Sequence, residues 1–149
     1  MPGMLLGETF KVYVACAFVL CLLMFSLGFI TAAKRNSNKS FANHEDQSVF
    51  PKDAQFNQGN DHPDVLRAMR AHRNLIESLL PFSLLGMIYV LSGASTLGAE
   101  ICMGAFTVAR VLHAIVYLKE MQPWRTLFFA VGVISMTAMI VISGLKIFG

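Results

Sequence analysis

Four long apolar runs organise the chain, and a polar stretch sets the first apart from the other three. Positions 12–33 carry no charged residue. At 1.5 Å per residue such a run covers a hydrocarbon core about 30 Å thick, which predicts a membrane-crossing helix over about 10–33. Apart from Lys11 no basic segment precedes it, so it reads as a retained span and not as a signal peptide. Positions 34–62 are rich in Asn, Ser, Gln, Asp and Lys without sustained periodicity, and read as one long loop.

A second helix is expected over 63–92. Pro63 is acceptable in a first helical turn, and Asp61 and Asp64 suit the positive end of the helix. Such a helix is about 45 Å long, so its first turns, Arg67 included, should reach water, with Arg67 an interfacial anchor. Pro81 inside it should produce a kink. Gly93 and its small neighbours mark a turn. Helices over about 95–119 and 124–148 complete an all-α, single-domain reading of four spans, and 126–145 is uncharged.

Composition agrees with a bilayer as solvent. Hydrophobic residues make up 55% of the 149 residues and charged residues 14%, against roughly a quarter charged in soluble domains. A net charge of +3 gives no support to nucleic-acid binding. The basic residues are unevenly placed. Lys34, Arg35, Lys39, Lys52, Arg67, Lys119 and Arg125 flank the first and third connections, whereas Lys11 and Lys146 lie at the other side. The positive-inside rule therefore places the long loop in the cytoplasm, in a bacterial inner membrane or an endoplasmic reticulum. Cys16, Cys21 and Cys102 sit in apolar runs without CxxC spacing and read as small buried hydrophobes; no metal site is expected.

The polar residues inside the spans carry the chemistry. On the second helix, Arg67, Arg70, Arg73, Asn74 and Glu77 fall within an arc of roughly 120°; on the third, Arg110, His113 and Tyr117 fall within roughly 60°. Ionisable groups at membrane depth face a protein interior or a wet cavity. Arg110 and Glu77 are expected to form a buried ion pair, since each would otherwise be an uncompensated charge. The surplus is positive (Arg70, Arg73 and Arg125, with Arg35 near) and suits an anionic ligand, because a guanidinium grips carboxylates through two hydrogen bonds.

Four blocks carry a resemblance. They are His62-Pro63-Asp64-Val65-Leu66-Arg67-Ala68-Met69-Arg70-Ala71-His72-Arg73-Asn74-Leu75-Ile76-Glu77 with Leu80-Pro81-Phe82 after it, Phe41-Ala42-Asn43-His44-Glu45-Asp46, Ala109-Arg110-Val111-Leu112-His113-Ala114-Ile115-Val116-Tyr117-Leu118, and Gln122-Pro123-Trp124-Arg125. Taken in chain order they resemble the membrane-associated proteins in eicosanoid and glutathione metabolism, the MAPEG family. The resemblance implies a homotrimer of four-helix subunits that binds glutathione at subunit interfaces. By matching position the glutathione site would comprise Arg35, Arg70, Arg73, Asn74, Glu77, His113, Tyr117 and Arg125. Arg125 matches the catalytic arginine, with Thr126 beside it and Asp46 matching an acidic residue implicated in the synthase branch. Phe129 and the Gln-Pro-x-Arg approach look more like the transferase branch, which joins glutathione to hydrophobic electrophiles and can reduce lipid peroxides. The alternatives are a prostaglandin-type endoperoxide isomerase using the same thiolate, and a non-catalytic lipid-binding partner protein. Arg125 and the complete polar set on the second and third helices speak against the last.

Overall fold

The computed structural model describes residues 7–49, 54–56 and 61–149. Four helices dominate it: α1 (Glu8–Ser37), α2 (Pro63–Leu91), α3 (Thr96–Leu118) and α4 (Trp124–Phe148). Each is long and apolar enough to cross a membrane. Between α1 and α2 lie a short strand β1 (Ser40–Phe41), a 3-10 helix (His44–Ser48) and a second strand β2 (Gln55–Phe56). The strands pair in parallel, Ser40 with Gln55 and Phe41 with Phe56.

The helix ends follow local chemistry. Asp64 N donates to His62 Nδ1 at 3.3 Å and Pro63 occupies the first turn, so α2 starts with one orphan amide satisfied and another removed. Gly98 N donates to Ser95 Oγ at 3.2 Å at the start of α3. Helix α1 does not stop where its apolar run stops. It continues through Lys34 and Arg35, whose charges suit the negative end of the helix, to Ser37. The polar connection is therefore shorter than the composition suggests. Pro81 lies within α2, which continues past it to Leu91.

Helices α2 and α3 form the middle of the bundle. Helix α1 packs on both, and α4 packs on α3 most extensively and on α2. The α1 face turned inward shows one residue per two turns, Tyr13, Leu20 and Leu27, with the two leucines fully buried. Phe82 of α2 and Phe106 of α3 stack with ring centroids 4.6 Å apart, and Tyr13 lies 6.1 Å from Phe82. Gly86 makes room for this: a Cβ there would sit 2.5 Å from the Tyr13 ring. The outer surface is apolar, with Phe18, Phe25 and Phe29 on α1 and Ile134, Ile140 and Leu145 on α4 all exposed. A bilayer removes the penalty for such a surface, which water would impose in full.

Candidate functional site

The site lies where α2, α3 and α4 meet, near the α3–α4 turn. Helix α2 supplies Asn74, α3 supplies His113 and Tyr117 one turn apart, and α4 supplies Arg125, Thr126 and Phe129. Together they line a cavity of about 220 Å³. All six are residues that the polar stripes or the resemblance single out, five of them as site residues and Phe129 as a mark of the transferase branch that here forms an apolar wall. His113 is buried, with its ring 5.6 Å from Tyr117 and 6.2 Å from Phe129. The Arg125 guanidinium carbon lies 4.9 Å from the centre of the Tyr117 ring, a cation–π distance.

Arg110 supports the cavity from behind. It is 2% exposed and donates from Nη1 to Asn74 Oδ1 at 3.3 Å. Its guanidinium lies between Phe106 and Phe129, 5.2 and 5.3 Å from the ring centres. Its Nε is buried without a hydrogen-bond partner among the described residues. The expected Arg110–Glu77 pair is not formed. Glu77 instead accepts from Arg73 Nε at 3.0 Å, four residues back on the same helix, in a pair whose side chains are 60% and 82% exposed. Spacing on one helix favours this partner, because residues four apart are neighbours on its surface, while Arg110 meets α2 at the depth of Asn74.

Arg67 also departs from expectation. It is no free anchor: Nη1 lies 2.6 Å from Glu120 Oε1, with the arginine side chain 22% exposed. Glu120 follows α3 with a left-handed backbone, φ 61. The ion pair thus ties the start of α2 to the turn that delivers Arg125.

Four other expected residues, Arg70, Arg73, Arg35 and Asp46, lie outside the cavity. Arg70 and Arg73 are exposed on the outer face of α2 with Glu77. Arg35 is held in a two-bonded pair with Asp61, Nη1 to Oδ1 at 2.7 Å and Nη2 to Oδ2 at 2.9 Å. Ser40 Oγ adds a third bond to Asp61 Oδ1 at 3.0 Å. Asp61 and Asp64 therefore act less on the α2 terminus than on the α1 terminus, since Lys34 Nζ reaches Asp64 Oδ2 at 3.1 Å. Asp46, in the 3-10 helix, accepts from Asn43 Nδ2 at 3.1 Å.

Gln122 is the residue that sequence reasoning passed over. A guanidinium only donates, so the amide atom that faces it is the oxygen. In that orientation Gln122 Oε1 accepts from Arg125 Nη2 at 2.6 Å and Nε at 3.1 Å, and its amide nitrogen donates to Thr126 Oγ1 at 3.3 Å. The Gln-Pro-x-Arg spacing is the available signal, but as a family mark it does not by itself show a contact.

Four membrane-length helices, three of which enclose a polar, arginine-bearing cavity, define an integral membrane protein. The MAPEG family model matches residues 13–145, and the chain belongs to that family. It is 32% identical over 131 residues to a prostaglandin E synthase of Equus caballus, covering 87% of this chain and 84% of that protein. It is 33% identical over 124 residues to the prostaglandin E synthase of Mus musculus, with 82% and 79% covered. It is 36% identical over 128 residues to microsomal glutathione S-transferase 1 of Rattus norvegicus, with 85% and 83% covered.

Proposed function

We propose that the protein is a membrane-bound glutathione transferase that joins the glutathione thiolate to a hydrophobic electrophile, with reduction of lipid peroxides as a second activity. One observation carries this reading: Arg125 stands in the cavity over Tyr117, beside Asn74, His113 and Thr126, with no carboxylate paired to it among the described residues. Its positive charge is available to an anion. A thiol placed there loses its proton more readily, and the thiolate is the nucleophile. The thiolate sulfur forms a bond to the electrophilic carbon, the leaving group departs with its electron pair, and the thiol proton passes to water.

The rest of the tripeptide finds complementary groups. Its two carboxylates suit Arg70, Arg73 and Arg35, its ammonium suits Glu77, and its amides suit Asn74 and Tyr117. A cavity of about 220 Å³ falls below the roughly 300–1,000 Å³ of ligand sites, so one chain holds only part of such a molecule. Arg70, Arg73 and Glu77 sit on an outward face where a second copy would close the site. This supports a homotrimer with glutathione at subunit interfaces, and the basic residues that flank the first and third connections support a cytoplasmic long loop. Arg35 reaches the ligand only by releasing Asp61.

The relatives include prostaglandin E synthases, and Thr126 offers a hydroxyl beside Arg125. An endoperoxide isomerase is thus the second reading. Phe129 favours the transferase, because it gives the cavity an apolar wall at the position where the prostaglandin synthase pattern has a tyrosine. The test is conjugation of a chlorinated dinitrobenzene with glutathione by the purified protein, beside the endoperoxide and peroxide reactions. Conjugation well above the solution rate is expected; endoperoxide turnover alone overturns the transferase reading, and loss of all three overturns enzymatic function.

A further inference from the structure

We infer that Gln122 is a positioning residue that holds the Arg125 guanidinium in the cavity, on a turn that the Arg67–Glu120 ion pair fixes in place. The inference rests on the reading of Arg125 given above. An arginine side chain has many rotamers, so a guanidinium that must meet a small anion at one place needs restraint. Here two groups restrain it. Tyr117 covers one face at 4.9 Å, and the Gln122 oxygen accepts from two nitrogens along one edge, at 2.6 and 3.1 Å. The amide nitrogen of Gln122 reaches Thr126 Oγ1 at 3.3 Å, which sets the amide plane and leaves its oxygen toward Arg125.

The chemistry of the holder matters as much as its geometry. A carboxylate would hold Arg125 more firmly, but it would cancel the charge that an anionic sulfur requires. A neutral amide orients the cation and leaves its charge uncompensated. The nearest acid in sequence, Glu120, is directed elsewhere: its carboxylate is taken by Arg67 at 2.6 Å, and its left-handed backbone, φ 61, turns the chain before Gln122. Left-handed backbone in a residue with a Cβ is unfavourable, and the ion pair to α2 helps to keep it. Thus Arg67, on another helix, sets where Gln122 stands.

The experiment reads the hold on Arg125 directly. Phenylglyoxal modifies free guanidiniums, and peptide mass spectrometry gives the rate at Arg125, with Arg73, which pairs with Glu77 and not with Gln122, as internal control in the ligand-free protein. Gln122→Leu should speed labelling of Arg125 roughly two- to tenfold, the range expected for losing a hydrogen bond, and leave Arg73 unchanged. Gln122→Glu keeps the acceptors and should restore slow labelling. Both variants should raise the pH at which bound glutathione ionises, by misplacement in the first and by neutralisation in the second, with kcat falling more than glutathione affinity. An unchanged Arg125 rate in Gln122→Leu overturns the inference. So does fast labelling in both variants, which would mean a disturbed turn. So does a thiol titration that neither variant moves while Arg125→Ala moves it. If Arg125→Ala itself leaves the titration unmoved, the thiolate reading fails, and the labelling rates still decide whether Gln122 holds Arg125.

Discussion

Arg110 packs so closely on Gly132 that a Cβ on the glycine would lie 2.7 Å from Arg110 Nη2 and 3.1 Å from Nε. The guanidinium has little room to withdraw, because Phe106 and Phe129 flank it and Asn74 accepts its other nitrogen. Gly132→Ala is therefore expected to push Arg110 off Asn74 and to lower stability by about 1–3 kcal/mol, the usual cost of overpacking. Adding Arg110→Met should return much of that loss, since it removes the group in the way. Thermal unfolding of the single and double variants in detergent checks this; equal melting temperatures for Gly132→Ala and wild type would contradict it.

The second prediction compares Arg67 with Glu77. Arg67 is largely buried and joins α2 to the α3–α4 turn, whereas Glu77 pairs with Arg73 within one helix and both are well exposed. Arg67→Ala should cost about 1 kcal/mol or more, through the lost pair and the lost packing of its stem. Glu77→Ala should cost no more than about 0.5 kcal/mol, as exposed pairs four residues apart do. Urea or thermal midpoints of glutathione-free protein test the order. A larger loss for Glu77→Ala would restore a buried role for that carboxylate.

These two cases show where the chain itself stops being informative. The four spans are legible because apolar runs of this length have few alternatives, and the cavity residues Asn74, His113 and Tyr117 are legible because polar groups in such runs must converge, whereas Arg125 and Thr126 are legible through the family resemblance. Pairing is another matter. A helical wheel shows which way Arg110 faces, but its partner depends on the relative depth of two helices, which brings Asn74 to it and leaves Glu77 one turn away. The Arg67–Glu120 contact depends on a left-handed residue at Glu120, a position where a glycine or asparagine would have signalled the turn. The end of α1 was hidden for a similar reason: Lys34 and Arg35 read as loop by polarity, yet they are good helix formers with acidic partners across the connection.

Those acidic partners give the third prediction. Asp61 accepts two bonds from Arg35 and one from Ser40 and is 7% exposed, whereas the Lys34–Asp64 pair is nearly half exposed on both sides. Asp61→Ala leaves Arg35 without its partner and should cost about 2–3 kcal/mol. Asp64→Ala should cost much less, because its pair with Lys34 is open to solvent. Amide exchange at Ser40 and Phe41 should accelerate in the first variant and stay slow in the second. Comparable protection in both would mean that Asp61 does not secure this connection.

The last prediction separates an enzyme from a binding protein. Arg125 opens α4 at the rim of the cavity and has no carboxylate partner among the described residues, so its charge is directed at whatever anion enters. If that anion is the glutathione sulfur, Arg125→Ala should raise the pKa of the bound thiol, with one unit corresponding to about 1.4 kcal/mol. The sign follows from the favoured state: the cation stabilises the thiolate, so its loss moves ionisation to higher pH, and the fraction of thiolate at neutral pH falls. Turnover should drop roughly 100-fold or more, as for loss of a preorganised electrostatic contact. Glutathione affinity should fall much less, because Arg73, Asn74 and Glu77 would still grip the ends of the tripeptide; Arg73→Leu should do the reverse, weakening binding more than turnover at saturation. Thiolate absorbance in the ultraviolet, titrated against pH, reads the shift without relying on any chosen electrophile. If Arg125→Ala retains both full turnover and the wild-type titration, the sulfur is not held by Arg125, and the Tyr117 and Thr126 hydroxyls in the same cavity become the donors to test.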